Sequence, residues 1–160
     1  MRALALLFLL TASAAHAEGP TRAELESLAR DAGNVRFLPY QPRETLAQSL
    51  SSADVHVVGL AHGLAGYVVP SRLYGILAVA RPVIVAADAD SEPAQLVERI
   101  GCGVAVPPGK PELLAHAIRR AQRGELDLEE MGRRGRAYVE AEADRSRATA
   151  RYRELLLELA

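Results

Sequence analysis

Between residues 54 and 124 the chain alternates short β-branched runs with segments of helical period, and this rhythm restricts the fold more than any other feature. The runs DVHVVGL, RPVIVAAD and CGVAVPPG have strand length and are apolar almost throughout, as expected of strands buried on both faces. Between them, SRLYGILAVA places Leu73, Ile76, Leu77 and Ala80 at helical spacing, and EPAQLVERIG reads as a further helix. KPELLAHAIRRAQRG follows, with Leu113, Leu114, Ala117, Ile118 and Ala121 on one face. Strands alternating with helices imply right-handed βαβ units. The expected class is therefore α/β, a Rossmann-like parallel sheet with helices on both faces. Leu128, Met131 and Tyr138, then Ala148, Tyr152, Leu155 and Leu159, predict two closing helices with no strand between them. They form a C-terminal helical appendage over residues 126–160, packed on a sheet domain of residues 1–125.

The first third continues the pattern. TRAELESLARDAG predicts a helix with Thr21 and Glu24 as a capping box, Leu25, Leu28, Ala29 and Ala32 on one face and Gly33 as its stop. NVRFLPY reads as a strand ending at Pro39, and RETLAQSLSSA as a helix carrying Leu46, Leu50 and Ala53. Residues 1–17 admit two readings. Met1-Arg2, the run Ala3–Leu10 and Ala15-His16-Ala17 satisfy the pattern of a secretory signal. ALALLFLL equally suits the first strand of a parallel sheet, and the strand reading is preferred because it continues the alternation into Thr21 without a gap. A cytoplasmic location follows from the strand, an exported one from a cleaved signal.

Composition removes several classes. The 19 basic and 20 acidic residues leave a net charge of −1, which offers no attraction to nucleic acid or to an anionic membrane. Cys102 is the one cysteine, so there is neither an internal disulfide nor a thiolate-built metal site. A Gly-x-Ser-x-Gly elbow, a phosphate-binding P-loop and a Gly-x-Gly-x-x-Gly fingerprint are absent.

Ligands of open parallel sheets sit beyond the carboxyl ends of the strands. GLAGYVVPSRLYG occupies such a place, between a strand and the following helix. Gly59, Gly63 and Gly66 let the backbone approach a ligand, and a helix starting near Ser71 turns its amides toward an anion such as a diphosphate. Arg72 lies in the first turn, where a cation opposes the helix dipole unless an anion joins it. DADSE offers Asp88, Asp90 and Glu92 after a strand; a metal or a ribose hydroxyl is one use, and helix capping by Asp90 or Ser91 the plainer one. Among the histidines, His56 is expected to pack within a strand and His116 to face water. His62, in the glycine loop, is placed for acid or hydrogen-bonding work.

The segments EGPTRAELESLA, NVRFLPYQPRETLAQSLSSADVHVV, VPSRLYGILAVARPVIVAADADSE and GCGVAVPPGKPELLAHAI resemble, in order and spacing, the C-terminal half of retaining GT-B glycosyltransferases, group 1 or family 4 type. The branch resembled builds colanic-acid and exopolysaccharide sugars. The resemblance implies a domain that binds a nucleotide-diphosphate sugar against an N-terminal acceptor domain and needs no cofactor or obligatory metal. It places Gly19 in the glycine turn after the first strand and Leu38 near the nucleobase. His62, Gly63 and Gly66 then lie near the sugar and its phosphates, Ser71, Arg72 and Leu73 at the diphosphate, and Glu92 in the next crevice loop. No catalytic residue is assigned.

The departures are specific. Tyr67 and Gly75 stand where many members carry a pair of glutamates, and Ala80 stands where a glycine precedes Arg-Pro. The family's upstream Arg and Lys and its acceptor domain have no counterpart in these residues, so a fragment or one subunit of a split enzyme, inactive alone, is expected. Its partners are then a nucleotide sugar and a separate acceptor domain or subunit, through which alone it would meet a membrane. A non-catalytic exported or truncated binding module is the alternative, and a sugar-nucleotide epimerase would need an acid/base pair that the sequence does not display.

Overall fold

A computed structural model describes residues 6–7 and 21–159. Four parallel strands lie side by side in chain order: β1 (Leu6–Leu7), β2 (Val55–Gly59), β3 (Val83–Ala86) and β4 (Gly103–Val106). Among the described residues β1 contributes the pairs Leu6 with Val55 and Leu7 with His56. β2 and β3 are in register from His56–Val83 to Gly59–Ala86, and β3 and β4 from Val83–Gly103 to Ala86–Val106. The α/β class expected from the alternation is the one found.

Side-chain alternation along the strands builds two cores. One face gathers Val58, Leu60, Val83 and Val85 with Leu73, Ile76 and Leu77 of α3 (Arg72–Ala78) and Leu96 and Val97 of α4 (Glu92–Ile100). Leu50 of α2 (Leu46–Ser51) closes that core from above. The other face sets Val55, Val57, Ile84 and Val106 against Ala117, Leu114 and Ile118 of α5 (Pro111–Gln122). Leu113, expected on this face, is exposed, whereas the adjacent Leu114 packs against the core. Cys102 is buried in the first core, and burial pushes its thiol up to about 11.

α6 (Leu128–Tyr138) crosses the first face, a π-type turn at Val139–Ala143 follows, and α7 (Arg145–Glu158) runs out from it. Tyr138 and Val139 pack against the core, whereas α7 buries none of its residues.

Two expectations fail in the first third. α1 (Arg22–Leu28) has the capping box of Thr21 and Glu24, yet it stops before Gly33 and buries no residue. Residues 34–40 form no strand, and Val35, Leu38 and Tyr40 are exposed. A strand needs a ladder partner, and among the described residues none pairs with this segment. Arg22 instead holds the segment, donating to the carbonyls of Leu38 at 3.1 Å and Phe37 at 3.5 Å with its guanidinium over the Phe37 ring. The rest of residues 1–17, including the small-residue site, lies outside the described residues. Among the described residues no helix is long and apolar enough to cross a membrane.

Candidate functional site at the carboxyl edge

β2 and β3 are neighbours and parallel, so the loops that leave them emerge on the same edge. The first, residues 60–71, is joined to its neighbour by Leu60 N–H donating to the Ala86 carbonyl at 2.9 Å. The second runs from Ala87, whose N–H donates to Val106 at 3.0 Å, to the start of α4.

The sharpest feature of this edge is a carboxylate with two donors. Asp88 Oδ1 lies 2.7 Å from His62 Nδ1, and Asp88 Oδ2 accepts the Gly63 N–H at 2.8 Å. The residues are 26 apart in sequence, and only the pairing of β2 with β3 brings them together. Gly63 has φ +77° and Gly66 φ +80°, left-handed values that glycine adopts without a steric penalty. Asp88 raises the pKa of His62, chiefly through the hydrogen bond and secondly through its charge; the same contact lowers that of Asp88. The imidazole is 88% exposed and the carboxylate 18%.

The second pair joins α3 to α4. Tyr74 Oη donates to Glu92 Oε1 at 3.0 Å, and burial, then this bond, pushes the phenol up to about 12. Glu92 Oε2 is buried without a hydrogen-bond partner. Thus Glu92 is positioned by a residue that no sequence motif pointed to.

The helix start departs from expectation in detail. Ser71 takes helical dihedrals (φ −55°, ψ −26°) and makes no side-chain cap, and the Leu73 N–H is used by the Pro70 carbonyl at 2.9 Å. Leu73 is fully buried, so its part is to anchor α3. Arg72 is half-buried, which lowers its pKa. At α4, Ser91 occupies the capping position but its hydroxyl donates to the Asp88 carbonyl at 2.5 Å. Leu38 is exposed in the unpaired segment, and Gly19 lies outside the described residues.

His56 behaves as a core histidine: it is buried, its Nε2–H donates to the Leu50 carbonyl at 2.8 Å, and burial lowers its pKa. Among the described residues no group of three or more His, Cys, Asp or Glu side chains is arranged to hold a metal ion. A cavity of ≈ 640 Å³ opens at the opposite, amino end of the strands, between Asp54, Arg81, Leu128 and Arg133. It touches none of the residues above.

Fold and edge together define a Rossmann-like domain whose polar, glycine-bordered loops meet at the ends of two adjacent parallel strands. Residues 15–138 match the family model described as glycosyl transferases group 1. The chain belongs to that family. It is 37% identical over 107 residues, 65% of its length, to the putative colanic acid biosynthesis glycosyl transferase WcaI of Escherichia coli (strain K12). It is 33% identical over 98 residues, 59% of its length, to the probable glycosyltransferase WbjE of Pseudomonas aeruginosa. These stretches cover 26% and 24% of the two relatives, so the chain spans about a quarter of either. No solved structure matches the chain significantly.

Of the expected residues, His62, Gly63 and Glu92 make contacts on this edge, and Gly66, Ser71 and Arg72 border the same loop. The sequence reading gives Asp88 only as one of the carboxylates for a metal or a ribose hydroxyl. Its actual partner could have been found by pairing the two predicted strands and comparing the residues just beyond each.

Proposed function

We propose that this chain is the donor-binding domain of a nucleotide-sugar glycosyltransferase, holding a nucleotide-diphosphate sugar for transfer to an acceptor in polysaccharide or glycoconjugate synthesis. The observation that carries the reading is the meeting of the glycine loop, Asp88 and the start of α3 at one carboxyl edge, in a chain of the group 1 family. Two negative phosphates leave with the nucleotide, and stabilising that charge is usually the largest electrostatic contribution to such a transfer. Arg72 and the imidazolium of His62, both on the β2–α3 side of this edge, supply positive charge for it. The left-handed turns at Gly63 and Gly66 keep side chains out of the approach; a Cβ at either would meet nothing within 4 Å, so the space is open. Glu92, bonded to Tyr74 and with its second oxygen buried, braces α3 against α4 behind this edge. The reading calls for no resident metal or other cofactor. Acceptor recognition and the transfer itself need the part of such an enzyme that lies across the crevice, on a separate domain or subunit.

Titration calorimetry of the chain with UDP, GDP and their sugars tests the reading. Binding of at least one is expected, and Arg72→Ala should weaken it about three- to tenfold, the range of one charge-assisted contact. No heat from any nucleotide overturns the assignment.

A further inference from the structure

We propose that Asp88 is the positioning residue of the carboxyl edge: it clamps the glycine loop through Gly63 and orients His62 so that its protonated ring contacts an anionic ligand there. This deepens the donor-site reading and rests on it.

The geometry is a single carboxylate spanning consecutive residues. Oδ1 takes the His62 ring at 2.7 Å and Oδ2 the Gly63 amide at 2.8 Å, so ring and backbone are fixed together. A carboxylate only accepts, which places a proton on Nδ1 and leaves Nε2 pointing away from the clamp. The amide reaches Asp88 from a residue at φ +77°, a turn open to glycine and strained for other residues. Among the described residues, the charged groups acting on the ring are Asp88 and, more weakly, Asp90, both from the β3–α4 loop. Both favour the imidazolium.

A helix-capping role does not account for the carboxylate. The start of α4 uses the backbone carbonyl of Asp88, which accepts from Ser91 N–H at 3.0 Å and Ser91 Oγ–H at 2.5 Å. The side-chain oxygens are directed to the other loop. His62 is so exposed that packing contributes little to its placement, which leaves the clamp to orient it.

The test combines an NMR titration of the His62 ring with the binding of UDP and of inorganic pyrophosphate between pH 5.5 and 8.5. It compares the wild-type chain with Asp88→Asn, His62→Gln and His62→Lys. In the wild type the His62 midpoint should lie above the ordinary histidine value, and Asp88→Asn should lower it. Because a phosphate titrates near pH 6 itself, the reading taken is the ratio of wild-type to His62→Gln affinity. That ratio should be about fivefold at pH 5.5, as expected for one charge-assisted contact, and approach one at pH 8.5. His62→Lys should keep the tighter binding across the range. An unchanged His62 midpoint in Asp88→Asn, or a ratio that does not vary with pH, overturns the proposal. The His62 variants alter an exposed side chain, so the second criterion survives even if Asp88→Asn fails to fold. Silence of every diphosphate on the wild type refutes the donor-site reading and this one with it, whereas binding with a constant ratio refutes this one alone.

Discussion

Ala80 shows how a single residue can hold strain in a turn. It stands in the turn before β3, where the family resemblance expects glycine, and among the described non-glycine residues it alone has positive φ, at +55°. Left-handed backbone brings Cβ against the carbonyl oxygen and costs an L-residue roughly 1–2 kcal/mol, of which the greater unfolded-state freedom of glycine returns part. Ala80→Gly should therefore stabilise the chain by about 1 kcal/mol, seen as a rise of about 2–4 °C in the thermal midpoint. A fall would mean that the methyl packs usefully. At this scale local signals were legible: the Thr21–Glu24 capping box is formed as read, with Glu24 N–H donating to Thr21 Oγ1 at 3.3 Å and Thr21 N–H to Glu24 at 2.6 Å. The His62–Asp88 contact was not, because neither residue has a local pattern that names the other.

Elements were legible in proportion to how much apolar surface they bury. β2, β3 and β4 and the helices between them follow the sequence pattern closely, since their side chains alternate between two cores. Residues 34–40 carry the same β-branched and aromatic signal without a strand paired to them among the described residues, and propensity alone does not make a ladder. α6 is charge-rich, and Glu130 pairs with Arg133 and Arg134 on the outside, yet Gly132 and Gly135 are buried against the turn and α3. A Cβ on Gly132 would lie 2.1 Å from the Ala80 carbonyl oxygen, and one on Gly135 2.7 Å from Leu77 Cδ2. The backbone of α6 thus rests directly on the strained turn. Gly132→Ala should force the helix off this turn and destabilise the chain by about 2–4 kcal/mol, measured by urea unfolding. Gly33→Ala, where a Cβ meets nothing within 4 Å, is the control and should change stability by less than about 1 kcal/mol. Equal effects of the two would show that α6 can shift outward at no cost.

Among the described residues, the buried hydrophobic side chains fall between Leu50 and Ala121. The sheet and α3 to α6 supply nearly all of the buried residues, while α1 and α7 bury none. Tyr152, Leu155, Leu156, Leu157 and Leu159 are exposed at the end of α7, and Leu28, Val35, Leu38 and Tyr40 are exposed between residues 28 and 40. Helical period placed Tyr152, Leu155 and Leu159 on one face and made α7 legible as a helix. Period cannot say which surface that face meets, and among the described residues it meets none of the core. α7 is held at its start, where the Asp144 carboxylate accepts the Ser146 N–H at 2.8 Å and Arg151 pairs with Glu142. Such exposed contacts contribute little, a few tenths of a kcal/mol to about 1 kcal/mol each. Ending the chain after Ala143 should therefore leave the thermal midpoint within about 3 °C of the full chain, because no buried apolar area is removed. The same truncation should reduce binding of a hydrophobic dye, since it removes five exposed apolar side chains. A midpoint lower by 8 °C or more would show that α7 covers part of the first core, against α3 and α4, and that its leucines belong to the domain's interior.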